Sequence, residues 1–441
     1  MTISRRNFLK SGMALGLGAS TLGLLTTRPS VAASIDDYKA LVCVFLDGGL
    51  DSHDMVLPQD VASYDQLVAA RASLLNLHGA GRARTSLLAL DADNNNDFGT
   101  RRFALAPEMP GMQSLFNQGQ AALIGNVGPL VEPTTAAAFN NRSVALPPHL
   151  FSHNDQQNIW QANSPEGAFS GWGGLFGDIM QAAGANSEPV FTSITTSVSP
   201  VFANGISTQP FSISGEARTT IGLLDQYANT PNVRDALAQH FRAGAFAGNN
   251  LIARDLAAKH TTAYDSNTRY STVQAGATPL NTAFPDSSLG DQLSNIAKAV
   301  SVRNVLGARR QIFFVNIGGF DTHSRQAVNL PELLTQIDGA VSAFYTAMTE
   351  LGVADKVTLF TASDFGRALI PNGDGTDHGW GAHHFVVGDA VRGKRIYGEL
   401  PPSVVGHEQD GGIGRLVPTT AVEQYAATLG QWFGLTAGEV S

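Results

Sequence analysis

The sequence has very little cysteine, which limits the crosslinks and metal sites that it can form. Its single cysteine, Cys43, lies inside the apolar run 41–46. One cysteine cannot form an internal disulfide, and it cannot build a thiolate metal cluster. Any metal that the protein binds must therefore be held by His, Asp or Glu side chains.

Positive charge and long apolar runs are scarce as well. The 28 Lys and Arg residues are outnumbered by 37 Asp and Glu, which gives a formal net charge of -9. Nucleic-acid binding needs clustered basic side chains to neutralise phosphates, so we expect no nucleic-acid partner. Beyond the N-terminal region no apolar run is long enough to span a bilayer, so we expect no stable membrane span after signal cleavage.

The N-terminal region has the order of an export signal. A basic segment, "SRRNFLK", precedes a mildly apolar stretch over 12–25 and the small-residue segment "SVAAS". Basic, apolar and small-residue regions in this order are typical of a cleaved signal, here 1–33. The adjacent Arg5 and Arg6 resemble the twin-arginine signal, which implies export of the folded protein by the twin-arginine machinery. We expect a periplasmic or secreted protein; an ordinary secretory signal or an uncleaved anchor is the alternative.

Apolar runs bounded by turn residues predict the strands. The chain has 441 residues, 43% hydrophobic and 15% charged, enough for one large globular unit or two joined lobes. We predict buried strands over 40–46, 121–128, 310–318, 356–363 and 383–388.

Helical spacing lies between two of these runs. Over 333–351 the apolar residues recur at the period of an amphipathic helix, among them Leu334, Ile337 and Val341. A strand, a crossover helix and a second strand form a right-handed parallel unit. The sequence therefore predicts an α/β fold with a mainly parallel central sheet flanked by helices, over 34–441.

The segment 187–285 differs in composition from the rest. It is rich in Ser, Thr, Asn and Ala, and we interpret it as an insertion or cap, helical over 216–258 and a polar loop over 271–285. A core helix over 289–306 follows. Near the C-terminus Thr420 and Glu423 have capping-box spacing at the start of a further helix.

Acidic and histidine side chains follow several of the predicted strands. They are Asp47, Asp51, Asp321, His323, Asp364, Asp377, His378, His383 and His384, and Arg367 comes three residues after Asp364. In open α/β sheets ligands bind at the carboxyl ends of the strands, so these turns can converge on one site. Neighbouring residues of a strand point to opposite faces, so at most one of His383 and His384 should enter that site directly.

Carboxylate and imidazole together favour a divalent metal. The combination suits zinc, with manganese or iron as alternatives. Histidine weighs against an all-oxygen calcium site, although calcium stays open. We expect one or two ions.

At these residues the sequence resembles a known superfamily. "LDGGLDS", "LFTASDFG" and "DHGWGAHHFVVGDAV" are similar to motifs of the metal-dependent alkaline phosphatase and sulfatase-like hydrolases. Together with the twin-arginine start, "GGFDTH", "SDFGR" and "RLVPTTAVEQYAATLGQWFG" resemble a bacterial domain-of-unknown-function family within that superfamily. The resemblance covers nearly the whole mature chain.

The resemblance implies an alkaline phosphatase-like fold and a set of metal ligands. Asp47 and Asp364 would hold one ion, and Asp321, His323 and one of His378, His383 and His384 would hold the other. Two departures leave alternatives open. Phe365 stands where the hydrolases have a metal-binding histidine, and the step from Asp321 to His323 is shorter than theirs. Asp51 is then an alternative acid of the first turn, and a single ion is an alternative to two.

The stretch "HLFSHNDQQNIW" resembles the position of the superfamily's nucleophile. That residue lies at a helix start between the first two metal motifs, where Ser152 stands here. Metal coordination and the helix dipole can activate such a hydroxyl. His153 would orient an anionic substrate and Arg367 would clamp its oxygens. Alternatively Ser152 is an N-cap with Asp155 three residues on.

Two functional hypotheses remain. The first is an exported metal-dependent hydrolase or transferase of phosphate or sulfate esters, acting on a small anionic or polysaccharide-type ester with Ser152 as nucleophile. The second is a non-catalytic periplasmic or surface binding or assembly protein that keeps the fold. A redox enzyme is disfavoured because no dinucleotide glycine fingerprint follows the first strand and no cysteine set could ligate a cluster.

Overall fold

A computed structural model of the chain describes residues 35, 37–196, 200–213, 230–242 and 251–440. The predicted signal, 1–33, lies outside the described residues, and 34–441 forms one compact unit. The strands in chain order are β1 (Lys39–Leu46), β2 (Val56–Pro58), β3 (Leu88–Ala89), β4 (Phe103–Leu105), β5 (Ala121–Gly128), β6 (Ser193–Thr195), β7 (Phe211–Ser212), β8 (Arg310–Ile317), β9 (Val357–Ser363), β10 (Arg367–Asn372), β11 (Gly375–His378), β12 (Ala382–Val387), β13 (Ile396–Gly398) and β14 (Thr420–Ala421).

Most of the helices lie between these strands in the sequence. They are Ser52–Met55, Val61–His78, Pro110–Asn117, Ala136–Asn140, His153–Ala162, Trp172–Ala182, Pro231–Arg242, Leu251–Ala275, Ser288–Ser301, Gln326–Glu350 and Val422–Phe433. None of the helices in the described ranges has the length and apolar character needed to cross a bilayer.

A mixed sheet forms the centre of the fold. Within the described residues its nine strands lie in the order β13-β5-β12-β9-β1-β8-β6-β7, with β14 beside β5. β12 runs antiparallel to β5 and β9, and the other paired strands are parallel. The predicted mainly parallel sheet is therefore confirmed.

Both faces of this sheet are covered by helices. Along β1, Val42 and Val44 pack into one apolar core, which includes side chains of the helices Ser288–Ser301 and Gln326–Glu350. Cys43 and Phe45 pack into a second core with the helices Trp172–Ala182 and Val422–Phe433. Side chains alternate across a strand, so the continuous apolar run of β1 supplies both cores.

The ends of three central strands lie level with one another. Leu46, the last residue of β1, pairs with Ile317 of β8 and with Ser363 of β9. The turns that follow these strands therefore start at one edge of the sheet. Because β12 is antiparallel, its first residues lie at that same edge, whereas parallel strands bring their last residues there.

The helix predicted over 333–351 starts earlier than expected. It spans Gln326–Glu350 and continues through Pro331. The predicted helix over 289–306 ends sooner, at Ser301.

Part of the segment 187–285, predicted as an insertion or cap, belongs to the central sheet. β6 pairs with β8 and β7 pairs with β6. The helix predicted over 216–258 lies only partly within the described residues. The polar loop predicted from residue 271 is wrong at its start, because the helix Leu251–Ala275 continues through it.

The capping box predicted at Thr420 and Glu423 is also wrong. Ala421 is the N-cap of the last helix, and its backbone N donates to Oε1 of Gln424 at 3.0 Å. The hydrogen bond from the N-cap backbone to the side chain three residues later is therefore made by Ala421 and Gln424, one residue after Thr420 and Glu423.

Candidate metal centre

The turns after β1, β8 and β9 contact one another closely. Gly48 has φ +117°, and a Cβ there would lie 2.4 Å from the backbone N of Asp321, so only glycine fits. Its own N donates to Oδ1 of Asp364 at 3.1 Å. Next to it, Oδ2 of Asp47 accepts from the side-chain amide of Asn316 at 2.5 Å. Asp47, Asp321 and Asp364 therefore lie near one another at one edge of the sheet, as the sequence predicts.

Four side chains, His153, Asp321, His323 and His378, form what we call the His–Asp cluster. One ligand atom from each of His153, Asp321 and His378 lies within 4.8 Å of the others. Oδ1 of Asp321 is 3.6 Å from Nε2 of His153 and 3.3 Å from Nε2 of His378. Nε2 of His323 is 3.1 Å from the same oxygen and 2.9 Å from Nε2 of His378. Nitrogens of His153 and His378 and one oxygen of Asp321 thus form a close group of possible metal ligands, and Nε2 of His323 lies against two of its members, Asp321 and His378.

The other nitrogen of two of these imidazoles is held by the protein. Nδ1 of His153 lies 2.7 Å from Oδ2 of Asp364, which also accepts from Nε2 of Gln157 at 3.0 Å. Nδ1 of His378 lies 2.8 Å from the backbone oxygen of Phe151. A carboxylate or carbonyl that binds one ring nitrogen fixes the tautomer and leaves the other nitrogen available to a metal. Nε2 of His153 is buried and has no hydrogen-bond partner among the described residues.

The charges around the cluster shift the pKa of its members. The hydrogen bond to Asp364 raises the pKa of His153, and burial lowers the pKa of His378. Burial alone would raise the pKa of Asp321, but the hydrogen bond and charge of Arg367 hold it below its usual value. At Asp47, burial, with the nearby Asp364 adding to it, raises the pKa to about 6.

Arg367 is occupied by protein acceptors, contrary to its predicted role as a substrate clamp. Its side chain is buried, and Nη1 donates to Asp321 Oδ1 at 3.1 Å and to the backbone oxygen of Gly48 at 2.9 Å. Nε donates to the backbone oxygen of Thr376 at 3.1 Å, and Nη2 bonds the same oxygen. Arg367 therefore positions Asp321 and ties the first turn to β11.

Ser152 lies at a helix start, as predicted, and its hydroxyl is directed to a neighbouring side chain. It is the N-cap of His153–Ala162, and its side chain bonds no backbone N–H of that helix. Oγ donates to Oδ2 of Asp155 at 2.9 Å. His153, the next residue, is the one that contacts Asp364. The preceding Phe151 has a positive φ of 74°, which turns its carbonyl to His378.

Asp51 is committed to a buried ion pair. Nη1 of Arg71 donates to its Oδ1 at 3.0 Å and Nη2 to its Oδ2 at 2.5 Å. Gln326 Nε2 also donates to Oδ2, at 2.6 Å, and His53 N to Oδ1, at 3.0 Å. The expectation that Asp51 supplies a metal ligand does not fit this arrangement, because both of its oxygens are already bound within the core.

The two adjacent histidines lie outside the cluster, which corrects their assignment as metal ligands. Nδ1 of His383 accepts from the backbone N of Asn126 at 3.0 Å, and Nδ1 of His384 lies 3.2 Å from Oγ1 of Thr361. Both rings are buried, and burial lowers the pKa of each to about 3. They are neutral core histidines. His378, in β11, is the histidine of this region that reaches the cluster.

Asp377 and Phe365 border the cluster. Oδ1 of Asp377 is 3.5 Å from Nδ1 of His323 and accepts from Asn372 at 3.0 Å. The ring of Phe365 packs against two imidazoles, with centroids 4.8 Å from His153 and 4.6 Å from His378, and those two rings also contact each other, at 4.4 Å. An apolar ring thus stands at the position where the sequence resemblance implies a metal-binding histidine.

The sequence analysis did not identify three residues that hold the predicted site residues in place. Gln157 could have been found, since it lies four residues after His153 and shares its helix face. Phe151 acts through its backbone oxygen, and Arg71 through an ion pair with a residue twenty positions away. No motif marks either of them.

The sequence profile described as "Protein of unknown function (DUF1501)" matches residues 38–411. The chain belongs to this family. The resemblance to a domain-of-unknown-function family is thereby confirmed, whereas twin-arginine export stays a prediction. A search of curated proteins finds no match to this member of the family.

Several solved structures are similar to this DUF1501 protein over most of its length. One is a protein in the alkaline phosphatase superfamily from Vibrio parahaemolyticus, at 9% identity and TM-score 0.38, covering 98% of this chain and 76% of that one. Another is the C-terminal periplasmic domain of EcEptC from Escherichia coli in complex with Zn, at 10% identity and TM-score 0.37. The match covers 93% of this chain and 86% of that one. A third is the lipoteichoic acid synthase LtaP from Listeria monocytogenes, at 8% identity and TM-score 0.34. The match covers 93% of this chain and 76% of that one.

Proposed function

We propose that this DUF1501 protein is an exported, metal-dependent hydrolase or transferase of phosphate or sulfate esters, of the alkaline phosphatase and sulfatase-like type. The observation that carries the proposal is the His–Asp cluster, in which nitrogens of His153 and His378 and one oxygen of Asp321 lie within 4.8 Å of one another, with Nε2 of His323 against Asp321 and His378. The cluster lies at the carboxyl ends of β1, β8 and β9, where ligands bind in open α/β sheets.

The donor set fits zinc. Zinc takes imidazole nitrogen and carboxylate oxygen, usually four ligands in tetrahedral geometry, at about 2.0–2.2 Å. The buried Nε2 of His153, which lacks a hydrogen-bond partner among the described residues, is an atom that a metal would satisfy. Manganese, iron and calcium are the alternatives, and calcium suits this nitrogen-rich set least.

A bound metal would act as a Lewis acid and polarise an ester oxygen. The residues of the chain would do the rest. Asp364 and the carbonyl of Phe151 hold two imidazoles in the tautomer that leaves Nε2 free. Arg367 fixes Asp321 and offsets its charge. Asp47 accepts a hydrogen bond from Asn316 beside the same turns, and burial, with Asp364 adding to it, raises its pKa to about 6.

Ser152 is the proposed nucleophile. It lies between two residues that contact the cluster or its neighbours, Phe151 and His153. Its hydroxyl already donates to Asp155 at 2.9 Å, so a carboxylate is in place to accept its proton when it attacks. The substrate is then a small anionic or polysaccharide-type ester that enters the sheet edge in the periplasm or outside the cell.

The second candidate is a non-catalytic binding or assembly protein that keeps the fold. Phe365 favours it, because its ring lies 4.8 Å from His153 and 4.6 Å from His378 and restricts the space for a second ion. Metal binding without turnover would be its signature.

Elemental analysis combined with an ester assay tests the proposal. Purified protein should hold a stoichiometric divalent metal, and Asp321→Asn and His378→Ala should lose it. His383→Ala is the matched control, since that imidazole is bound to Asn126 in the core. Nitrophenyl phosphate or nitrophenyl sulfate should be hydrolysed, and a chelator should stop the reaction. Metal-free protein with full activity would overturn the proposal, and metal without activity would select the second candidate.

A further inference from the structure

A separate apolar cavity of about 490 Å³ lies beside the last helix, Val422–Phe433. Most of its lining is apolar and comes from the central sheet and this helix: Ala122, Ile124, Val386, Tyr425, Leu429 and Trp432. Pockets that bind small molecules enclose about 300–1,000 Å³ and are lined mainly by apolar side chains with a few polar groups. In size and lining this cavity matches such a pocket.

The cavity lies away from the His–Asp cluster. Ala122 and Thr358, which line it, are the second residues of β5 and β9, and Val386 is the next-to-last residue of the antiparallel β12. All three positions are at the amino ends of the parallel strands. Thr420, which also lines the cavity, pairs with Val127 farther along β5. The cavity is therefore a second site, under the last helix and mainly toward the amino ends of the strands, and its lining includes no residue of the cluster.

Positive charge lies beside this cavity in a chain with a net charge of -9. Among the described residues that line it, Arg392 is the only charged one, and it is exposed. The guanidinium of Arg395 lies 6.0 Å from the ring centroid of Tyr397, another lining residue. Lys394, between the two arginines, is paired with Asp91 at 3.0 Å.

We propose that this cavity binds a free fatty acid. The alkyl chain would pack against the sheet and the last helix, where it is removed from water. The carboxylate would pair with Arg392, whose guanidinium can bind a carboxylate through two hydrogen bonds. A neutral alcohol of the same length would gain the apolar contacts only, and a cationic amphiphile would be repelled.

The test uses dodecanoate below its micelle concentration and the full-length chain. Binding is followed by calorimetry and by the fluorescence of Trp432, which lines the cavity. We expect saturable binding at one site. Arg392→Gln should weaken binding of dodecanoate about tenfold, the change that follows from losing about 1.4 kcal/mol, and leave binding of dodecanol unchanged. Thr428→Phe, at an exposed lining position, should weaken both.

Matched variants separate the cavity from general surface effects. Lys298→Gln removes one exposed positive charge elsewhere, and Thr349→Phe changes an exposed helical threonine whose hydroxyl donates to the carbonyl four residues earlier, as that of Thr428 does. Neither should change the affinity. The proposal is overturned if dodecanoate does not bind saturably, or if Thr428→Phe binds it as the wild type does. It is also overturned if the protein binds vesicles of anionic lipid but not dissolved dodecanoate.

Discussion

Nδ1 of His153 lies 2.7 Å from Oδ2 of Asp364, and this contact joins the start of a helix to the turn after β9. It leaves Nε2 of His153 facing Asp321, at 3.6 Å from Oδ1. The pair therefore sets both the orientation of the imidazole and its proton affinity. Both effects can be measured in metal-free protein.

Asp364→Asn should lower the pKa of His153. The hydrogen bond to the carboxylate is the largest cause of the raised pKa, and the charge of Asp364 adds to it. The change is measured by following the His153 ring signals in an NMR titration, assigned with His153→Gln. Asp377→Asn, which removes a carboxylate beside His323 instead, is the control. An unchanged titration in Asp364→Asn would mean that the contact is not made in solution.

The same pair should make stability depend on pH in a defined direction. The pKa of His153 in the folded state lies above its ordinary value of 6.5, so protonation favours the folded protein. This contribution is fully present below pH 6.5 and is lost as pH rises through the raised pKa. The difference in Tm between metal-free wild type and His153→Gln should thus be larger at about pH 5.5 than at about pH 9. The opposite trend would contradict the assignment.

Asp51→Asn should destabilise the protein strongly without acting on the metal directly. It leaves Arg71, whose side chain is 1% exposed, as a buried cation without its carboxylate, at a cost of about 3–5 kcal/mol. The measurement is denaturant unfolding. Asp51→Leu combined with Arg71→Met removes both charges and should recover part of the loss. Folded Asp51→Asn should keep its metal, and loss of metal at unchanged stability would make Asp51 a ligand after all.

Ser152→Ala should abolish ester hydrolysis at little cost to the fold. A nucleophile's loss lowers kcat by about three or more orders of magnitude. The Ser152 side chain bonds Asp155 and caps no backbone N–H, so the loss in unfolding free energy should be about 0.5–1 kcal/mol. Asp155→Asn, which keeps the hydroxyl, is the companion variant. Equal activity in Ser152→Ala would leave Ser152 as a helix-entry residue only.

Much of the sheet could be predicted because its strands are apolar runs with clear ends. β1, β5, β8 and β9 are buried nearly throughout and are bounded by turn residues, a pattern that the sequence displays directly. Asp47, Asp321 and Asp364 each come shortly after one of these strands. Their convergence follows from parallel pairing alone.

The sequence could not show which of these histidines reaches the cluster, because that depends on tertiary packing. His383 and His384 lie in β12, whose side chains pack into an apolar core on each face of the sheet, so both rings are buried. His378 reaches the cluster because the β10–β11 hairpin pairs it with Arg367. Nothing in the spacing of His378, His383 and His384 distinguishes the hairpin residue from the strand residues.

The central position of β1 also determines when the core can form during synthesis. β1 begins at Lys39, yet its two neighbours are β8 and β9, from Arg310 to Ser363. Contacts so distant in sequence form late, because the intervening chain must first exist and then close. A nascent chain that ends before residue 310 has an apolar first strand with neither neighbour, and it depends on chaperones or on rapid completion to avoid aggregation. The His–Asp cluster, whose residues extend to His378, is assembled only after that.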